Sequence, residues 1–260
     1  MNTPKTNELK NWITGKAYNY ADGEIWPSLK EHSPRLIAWR VAVALGLRDK
    51  TTLRNRGNLT PRLATTMIGD QRAQNIIDMV TLTKNIPGDI VDCGVWRGGS
   101  TILFKSTVDE LGLSKQVWCC DTFNGFPKED AERESVASPD YLVVPVEQVK
   151  KNFTRHGVSL SNVRFLKGKV QETLGTITDA VSILRVDVDM YYPTKHCLDV
   201  ITPIMSPGGI IIVDDYGCSV YECKRAVDEF MLKHPNATLH KIDNDGIYIQ
   251  LPHVRARKTK

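Results

Sequence analysis

The sequence predicts an α/β fold: a doubly wound, Rossmann-like sheet of seven strands, mostly parallel, closed by a C-terminal antiparallel hairpin. Three observations carry this. From Ile86 onward, short β-branched runs alternate with longer segments of helical pattern, as in a parallel sheet covered on both faces. Glycines and acids gather where those runs end, the edge at which such sheets bind ligands. The last two runs are separated only by Asp243, Asn244 and Asp245, which is hairpin chemistry.

Residues 1–62 read as an irregular, partly helical N-terminal extension, a lid or dimer arm. Trp12, Trp26 and Trp39 are scattered through polar sequence. Ser33 and Pro34 fit the cap and first turn of a helix over 33–47, and a polar loop spans 49–62. The main domain covers 63–253. It opens with a helix over 64–84, with apolar Met67, Ile68, Ile76, Ile77, Val80 and Leu82. Strands are expected at Asp89–Cys93, Gln116–Cys120, Val163–Leu166, Val181–Val186, Gly209–Val213, Thr238–Ile242 and Gly246–Gln250. Helices fill 99–112, 145–156, 193–204 and 219–233. Residues 254–260 form a basic tail with Arg255, Arg257, Lys258 and Lys260.

Composition limits the function classes. The 260 residues are 41% hydrophobic and 25% charged, which fits a folded domain and not a disordered chain. No apolar run approaches a membrane span, and the polar N-terminus lacks a secretory h-region. Six cysteines, at 93, 119, 120, 197, 218 and 223, form no C-x-x-C pair. They read as free thiols in a reducing cytoplasm rather than as disulfides or a zinc site. Residues 1–60 hold ten Lys or Arg against five Asp or Glu, and the tail adds four more cations. The folded body is therefore net acidic, so neither a nucleic-acid nor a membrane partner is expected.

Asp92-Cys-Gly94-Val-Trp96-Arg-Gly98-Gly99-Ser100 follows the first strand of the main sheet. Its glycines let a ligand approach the backbone, and the next helix offers free N–H groups to an anion. The spacing is not G-x-G-x-x-G. An acid two residues before the first glycine suits a cofactor with an ammonium group. S-adenosylmethionine has both an ammonium, suited to Asp92, and a carboxylate, suited to Ser100. A tight turn that binds nothing is the alternative. Asp121 closes the second strand, 29 residues after Asp92. It is placed either to accept ribose hydroxyls or to cap a helix.

The fourth strand ends in Asp187-Val-Asp189 and the fifth in Asp214-Asp215. In a parallel sheet Asp187, Asp214 and Asp215 converge. Such close carboxylates need a counter-ion, and Mg²⁺ is the default hard cation for oxygen ligands. Asp189 lies just past its strand and is the first candidate for general base. His156, His196 and His234 read as structural.

These residues together resemble the macrocin O-methyltransferase family, Mg²⁺-dependent enzymes acting on sugar hydroxyls of natural products. The resemblance runs over about 64–251. It is carried by Thr66-Met-Ile-Gly69, Gly94-Val-Trp-Arg-Gly-Gly99, Asp121-Thr-Phe-Asn-Gly-Phe-Pro127, Arg185-Val-Asp-Val-Asp-Met-Tyr191 and Ser206-Pro-Gly-Gly209 leading to Val213-Asp-Asp-Tyr216. More distantly, the spacing is similar to catechol O-methyltransferase. The resemblance implies S-adenosylmethionine contacts from Thr66 and Met67 over the methionine end and from Asp92, Gly94, Trp96 and Ser100 in the loop. It implies Asp121 and Thr122 at the ribose and Val170 and Gln171 at the adenine. It further implies metal ligation by Asp187, Asp214 and Asp215, catalysis involving Asp187 and Asp189, a small sugar-bearing acceptor and a homodimer. Two departures stand out: segment 128–144 has no histidine of the kind some relatives place near substrate, and Val188 replaces a more usual glycine. The rivals are a non-enzymatic protein that binds S-adenosylmethionine, a nicotinamide dehydrogenase lacking its glycine motif, and a phosphatase using Asp187 and Asp189.

Overall fold

The structure, a computed structural model, describes residues 6–15, 23–25, 59–61, 64–136 and 142–253. The helix expected over 33–47, Trp26, Trp39 and the basic tail lie outside the described residues.

Seven strands form the main sheet: β3 (Asp89–Cys93), β4 (Val117–Asp121), β5 (Val163–Lys167), β6 (Val181–Val186), β7 (Met205–Val213), β8 (Thr238–Lys241) and β9 (Ile247–Gln250). Their order is β5-β4-β3-β6-β7-β9-β8. The first five are parallel, and β9 pairs antiparallel with both β7 and β8. A separate antiparallel pair joins β1 (Gly23–Ile25) to β2 (Leu59–Pro61), so part of the loop expected over 49–62 is strand.

Alternation along the strands builds two cores. Ile90, Ile183, Ile210 and Ile212 face one side, with α1 (Thr6–Ile13), α2 (Gly69–Leu82), α3 (Gly99–Glu110) and α5 (Val146–Arg155). Val91, Leu184, Ile211 and Val213 face the other, with α7 (Tyr191–Ile201) and α8 (Cys223–Lys233). All six residues of β6 are buried, as a central strand requires. At the opposite pole from the acid-rich strand ends, the buried Lys115 ammonium donates to the Ile86 and Gly88 carbonyls and the Ser182 hydroxyl. Burial pushes its pKa down.

Two differences from the sequence expectation have tertiary causes. The helix expected from 64 starts at Gly69. Thr65 and Thr66 donate their N–H groups to the Ile13 carbonyl at 3.0 and 3.2 Å, and the Thr65 carbonyl accepts from Gly99 at 2.9 Å. Those bonds hold 64–68 outside helical geometry. The helix expected from 219 begins at Cys223, whose N–H donates to the Asp189 carbonyl at 3.2 Å. Two short helices have no counterpart in the sequence reading: α4 (Lys128–Arg133) and α6 (Val170–Thr173).

α1 is packed into the domain. Leu9 and Ile13 are buried, the Thr6 N–H donates to Glu110 at 2.9 Å, and Lys10 donates to Gln74 at 2.7 Å. Ile13→Ala is expected to destabilise the protein by about 2–5 kcal/mol, the usual cost of emptying such a site. Denaturant unfolding measures this. A loss below about 0.5 kcal/mol, typical of surface positions, would show that α1 only rests on the surface.

Candidate active site

The C-terminal ends of β3, β4, β6 and β7 open onto one crevice. Arg185 is its internal support. It sits in β6 as the register partner of Asp92 in β3 and is fully buried. One guanidinium nitrogen, Nη1, donates to Asp92 Oδ1 at 2.9 Å and Ser100 Oγ at 3.2 Å. The other, Nη2, donates to Asp187 Oδ2 at 2.5 Å and also to Asp214 Oδ2. A buried charge is tolerated only when so partnered.

Asp187, Asp189 and Asp215 each bring a carboxylate oxygen to within 4.8 Å of the others. Asp214 stands behind them, buried on Arg185. Of the trio expected from the sequence, Asp187 and Asp215 lie in this group, and Asp189 takes the place of Asp214, which Arg185 holds back. Burial, then the charge of Asp187, raises Asp189 to about 7. Burial and Asp189 raise Asp215 to about 8. Burial also lifts Asp187 above the usual carboxylate range, against the pull of Arg185. A second guanidinium, Arg72 of α2, donates to Asp243 Oδ2 at 2.9 Å and to the Asp214 carbonyl at 3.0 Å. The carboxylates still outnumber the cations.

Asp189 holds a left-handed backbone conformation, φ +61°, unusual for a residue with a side chain. The Met190 N–H donates to the Val188 carbonyl at 2.6 Å, and Cys223 binds the Asp189 carbonyl. These bonds on either side hold the turn.

The glycine loop touches this cluster. A Cβ on Gly94, φ +78°, would lie 1.8 Å from the Asp187 carbonyl oxygen, so only glycine fits. Trp96 is also left-handed, φ +49°, and the Arg97 guanidinium lies 4.2 Å over its ring. Asp121 restrains the loop: Oδ2 accepts from the N–H groups of Val95 (2.8 Å) and Trp96 (3.1 Å), and Oδ1 from Phe123 (2.8 Å). Burial raises its pKa, and those amides oppose the rise. Thr122 closes the adjoining turn, its hydroxyl donating to the Gly125 carbonyl at 2.6 Å.

Asp92 and Ser100 point inward. Asp92 Oδ2 accepts from Ser100 at 2.8 Å and Thr101 at 2.6 Å. Both side chains thus brace the loop from beneath, where the sequence reading has them touching a ligand. Thr66 is buried and Met67 packs on the core. Both follow Thr65, which lies against Gly99. Val170 and Gln171 form the turn after β5, and Gln171 donates to Asp130 at 3.0 Å.

Arg185, Arg72, Thr101 and Asp130 are absent from the sequence-based site. Arg185 had a local signal, a lone cation inside the apolar run Val181–Val186. Arg72 had none, since its partner Asp243 lies 171 residues away.

The macrocin-O-methyltransferase (TylF) family profile matches residues 5–251. The chain belongs to this family. It is an O-methyltransferase. The match reaches back past residue 64 to include α1, consistent with the burial of Leu9 and Ile13. Demethyldecarbamoylnovobiocin O-methyltransferase of Streptomyces niveus is 38% identical over 220 residues, 78% of this chain and 83% of that one. A tetracenomycin-C derivative 4'-O-methyltransferase of Streptomyces olivaceus is 35% identical over 200 residues, 72% of this chain and 76% of that one. The solved structure of the O-methyltransferase NovP superposes with a TM-score of 0.75 at 32% identity, covering 95% of this chain and 98% of that one.

His156 supports the family's loop from below, its Nε2 lying 3.5 Å from Thr65 Oγ1. Burial, then Arg155, lowers its pKa from 6.5 to about 4. Between these values the unfolded chain binds a proton that the folded protein excludes, so acid favours unfolding there. This contribution is complete above about pH 6.5 and is lost as pH falls towards about 4. Thermal midpoints across that range should fall more steeply for the wild type than for His156→Gln. Parallel curves would remove His156 from the pH response.

Proposed function

We propose that this O-methyltransferase uses S-adenosylmethionine and Mg²⁺ to methylate a hydroxyl of a sugar-bearing small molecule. The observation that carries the reading is the contact between Gly94 and Asp187. It brings the glycine loop and the acid cluster into direct contact at the C-terminal ends of the strands.

The residues present fit both groups. A surplus of carboxylates with oxygens within 4.8 Å suits a hard divalent cation. The buried, unpartnered Gln171 Oε1 suits an N–H donor from a nucleobase. Asp187 and Asp215, whose oxygens converge beside that of Asp189, would hold the cation, with Asp214 behind them on Arg185; when bound it would acidify a coordinated hydroxyl and fix its position. S-adenosylmethionine supplies the methyl group from its sulfonium.

The chain's own residues do the rest. Asp189, held in a left-handed turn beside Asp187 and Asp215, would accept the hydroxyl proton. Thr66, Met67, Gly94 and Trp96 border the methionine end of the cofactor. Asp92 and Ser100 keep the loop in place through Arg185. Asp121 and Thr122 lie at the ribose. The acceptor class draws support from the relatives, which are named for novobiocin and glycosylated tetracenomycin substrates. A cytoplasmic homodimer completes the proposal on family likeness. The described helices include none long and apolar enough to cross a membrane.

Calorimetry with S-adenosylhomocysteine, with and without Mg²⁺, tests the cofactors, and mass gain on sugar-bearing acceptors tests turnover. EDTA should abolish turnover and Mg²⁺ restore it. Full activity in chelator would refute the metal. Asp189→Asn should keep Mg²⁺ and S-adenosylhomocysteine binding while turnover falls about 10²–10⁴-fold, the usual worth of a general base. Near-normal turnover would remove Asp189 from that role, and lost Mg²⁺ binding would make it a ligand.

A further inference from the structure

The segment after β4 reaches the proposed cofactor site. α4 meets the turn after β5 through two contacts: Glu129 accepts from Lys169 at 2.9 Å, and Asp130 Oδ2 accepts from Gln171 Nε2 at 3.0 Å. The first pair is solvent-exposed and contributes little. The second is different in kind. Asp130 is 5% exposed, and the other end of the Gln171 amide, Oε1, is buried with no partner.

That turn lies beside Asp121, because the Gly168 N–H donates to the Asp121 carbonyl at 3.0 Å. On the S-adenosylmethionine reading, a ribose at Asp121 would bring its base to Val170 and Gln171. A freely rotating amide at Gln171 would present either its oxygen or its NH₂ group to that base. An ionised carboxylate only accepts hydrogen bonds, so beside Asp130 the NH₂ end is committed and the oxygen is left over.

We propose that Asp130 is a positioning residue. It locks the Gln171 amide in one orientation, so that the site accepts a 6-aminopurine nucleoside and rejects its 6-oxo counterpart. An exocyclic amine donates to the waiting oxygen. A 6-oxo group meets oxygen against oxygen, and the amide has no freedom to turn over. The inference rests on the S-adenosylmethionine reading and deepens it.

The decisive variant is Asp130→Asn, which keeps the shape. The amide it introduces can either donate or accept, so it and the Gln171 amide are free to flip together. Calorimetry would compare S-adenosylhomocysteine with S-inosylhomocysteine. The wild type should prefer the amino compound by at least about tenfold, the scale of one hydrogen bond made or frustrated. In Asp130→Asn, binding of the amino compound should stay within about threefold. The oxo compound should tighten until the preference falls below about threefold. Gln171→Leu should weaken the amino compound and abolish the preference. An unchanged preference in either variant would overturn the proposal, as would a wild type that does not discriminate. A wild type that binds neither compound would instead defeat the S-adenosylmethionine reading, and this inference with it.

Discussion

One guanidinium, fully enclosed, holds the site of this protein together. Arg185 faces Asp92 and Ser100 with one nitrogen and Asp187 and Asp214 with the other. Each partner belongs to a different part of the crevice wall: β3, the start of α3, the turn after β6 and the end of β7. Removing charges from water is costly, and this arrangement offsets the cost by giving the charge several partners at once. Breaking any one contact leaves a buried group without compensation. The sheet places the strands side by side, and the arginine fixes how their ends sit relative to one another.

Around this ion cluster the backbone leaves little freedom. Gly94 has no room for a side chain because the Asp187 carbonyl occupies it. Trp96, Phe123 and Asp189 all hold positive φ. Strained conformations persist only where the surroundings over-determine them, and here hydrogen bonds accepted by Asp121 and donated by Met190 and Cys223 do so. Burial and the neighbouring carboxylates raise Asp189 to about 7 and Asp215 to about 8.

Much of this architecture was legible in the residues. The alternation of β-branched and helical segments led to the seven strands, and the Asp-Asn-Asp turn to the closing hairpin. Acids at strand ends were legible because parallel topology brings those ends together whatever the sequence between them. What escaped was set by long-range partners. Thr65 and Thr66 have no local reason to leave a helix; the Ile13 carbonyl supplies it. Asp92 reads as a ligand contact until Arg185 is seen beside it, and register rather than spacing makes that pairing. α4 is six residues long, too short to show a period in sequence.

The bond from Thr65 and Thr66 to Ile13 ties the beginning of the chain to its glycine loop. Residues 6–13 and 64–66 are separated in sequence but form one mechanical unit with Gly99. A chimera that exchanges amino-terminal segments between relatives must therefore carry both pieces from the same parent. Splicing between them would join a foreign helix to a loop shaped for another, and the misfit would pass through Thr65 to Gly99.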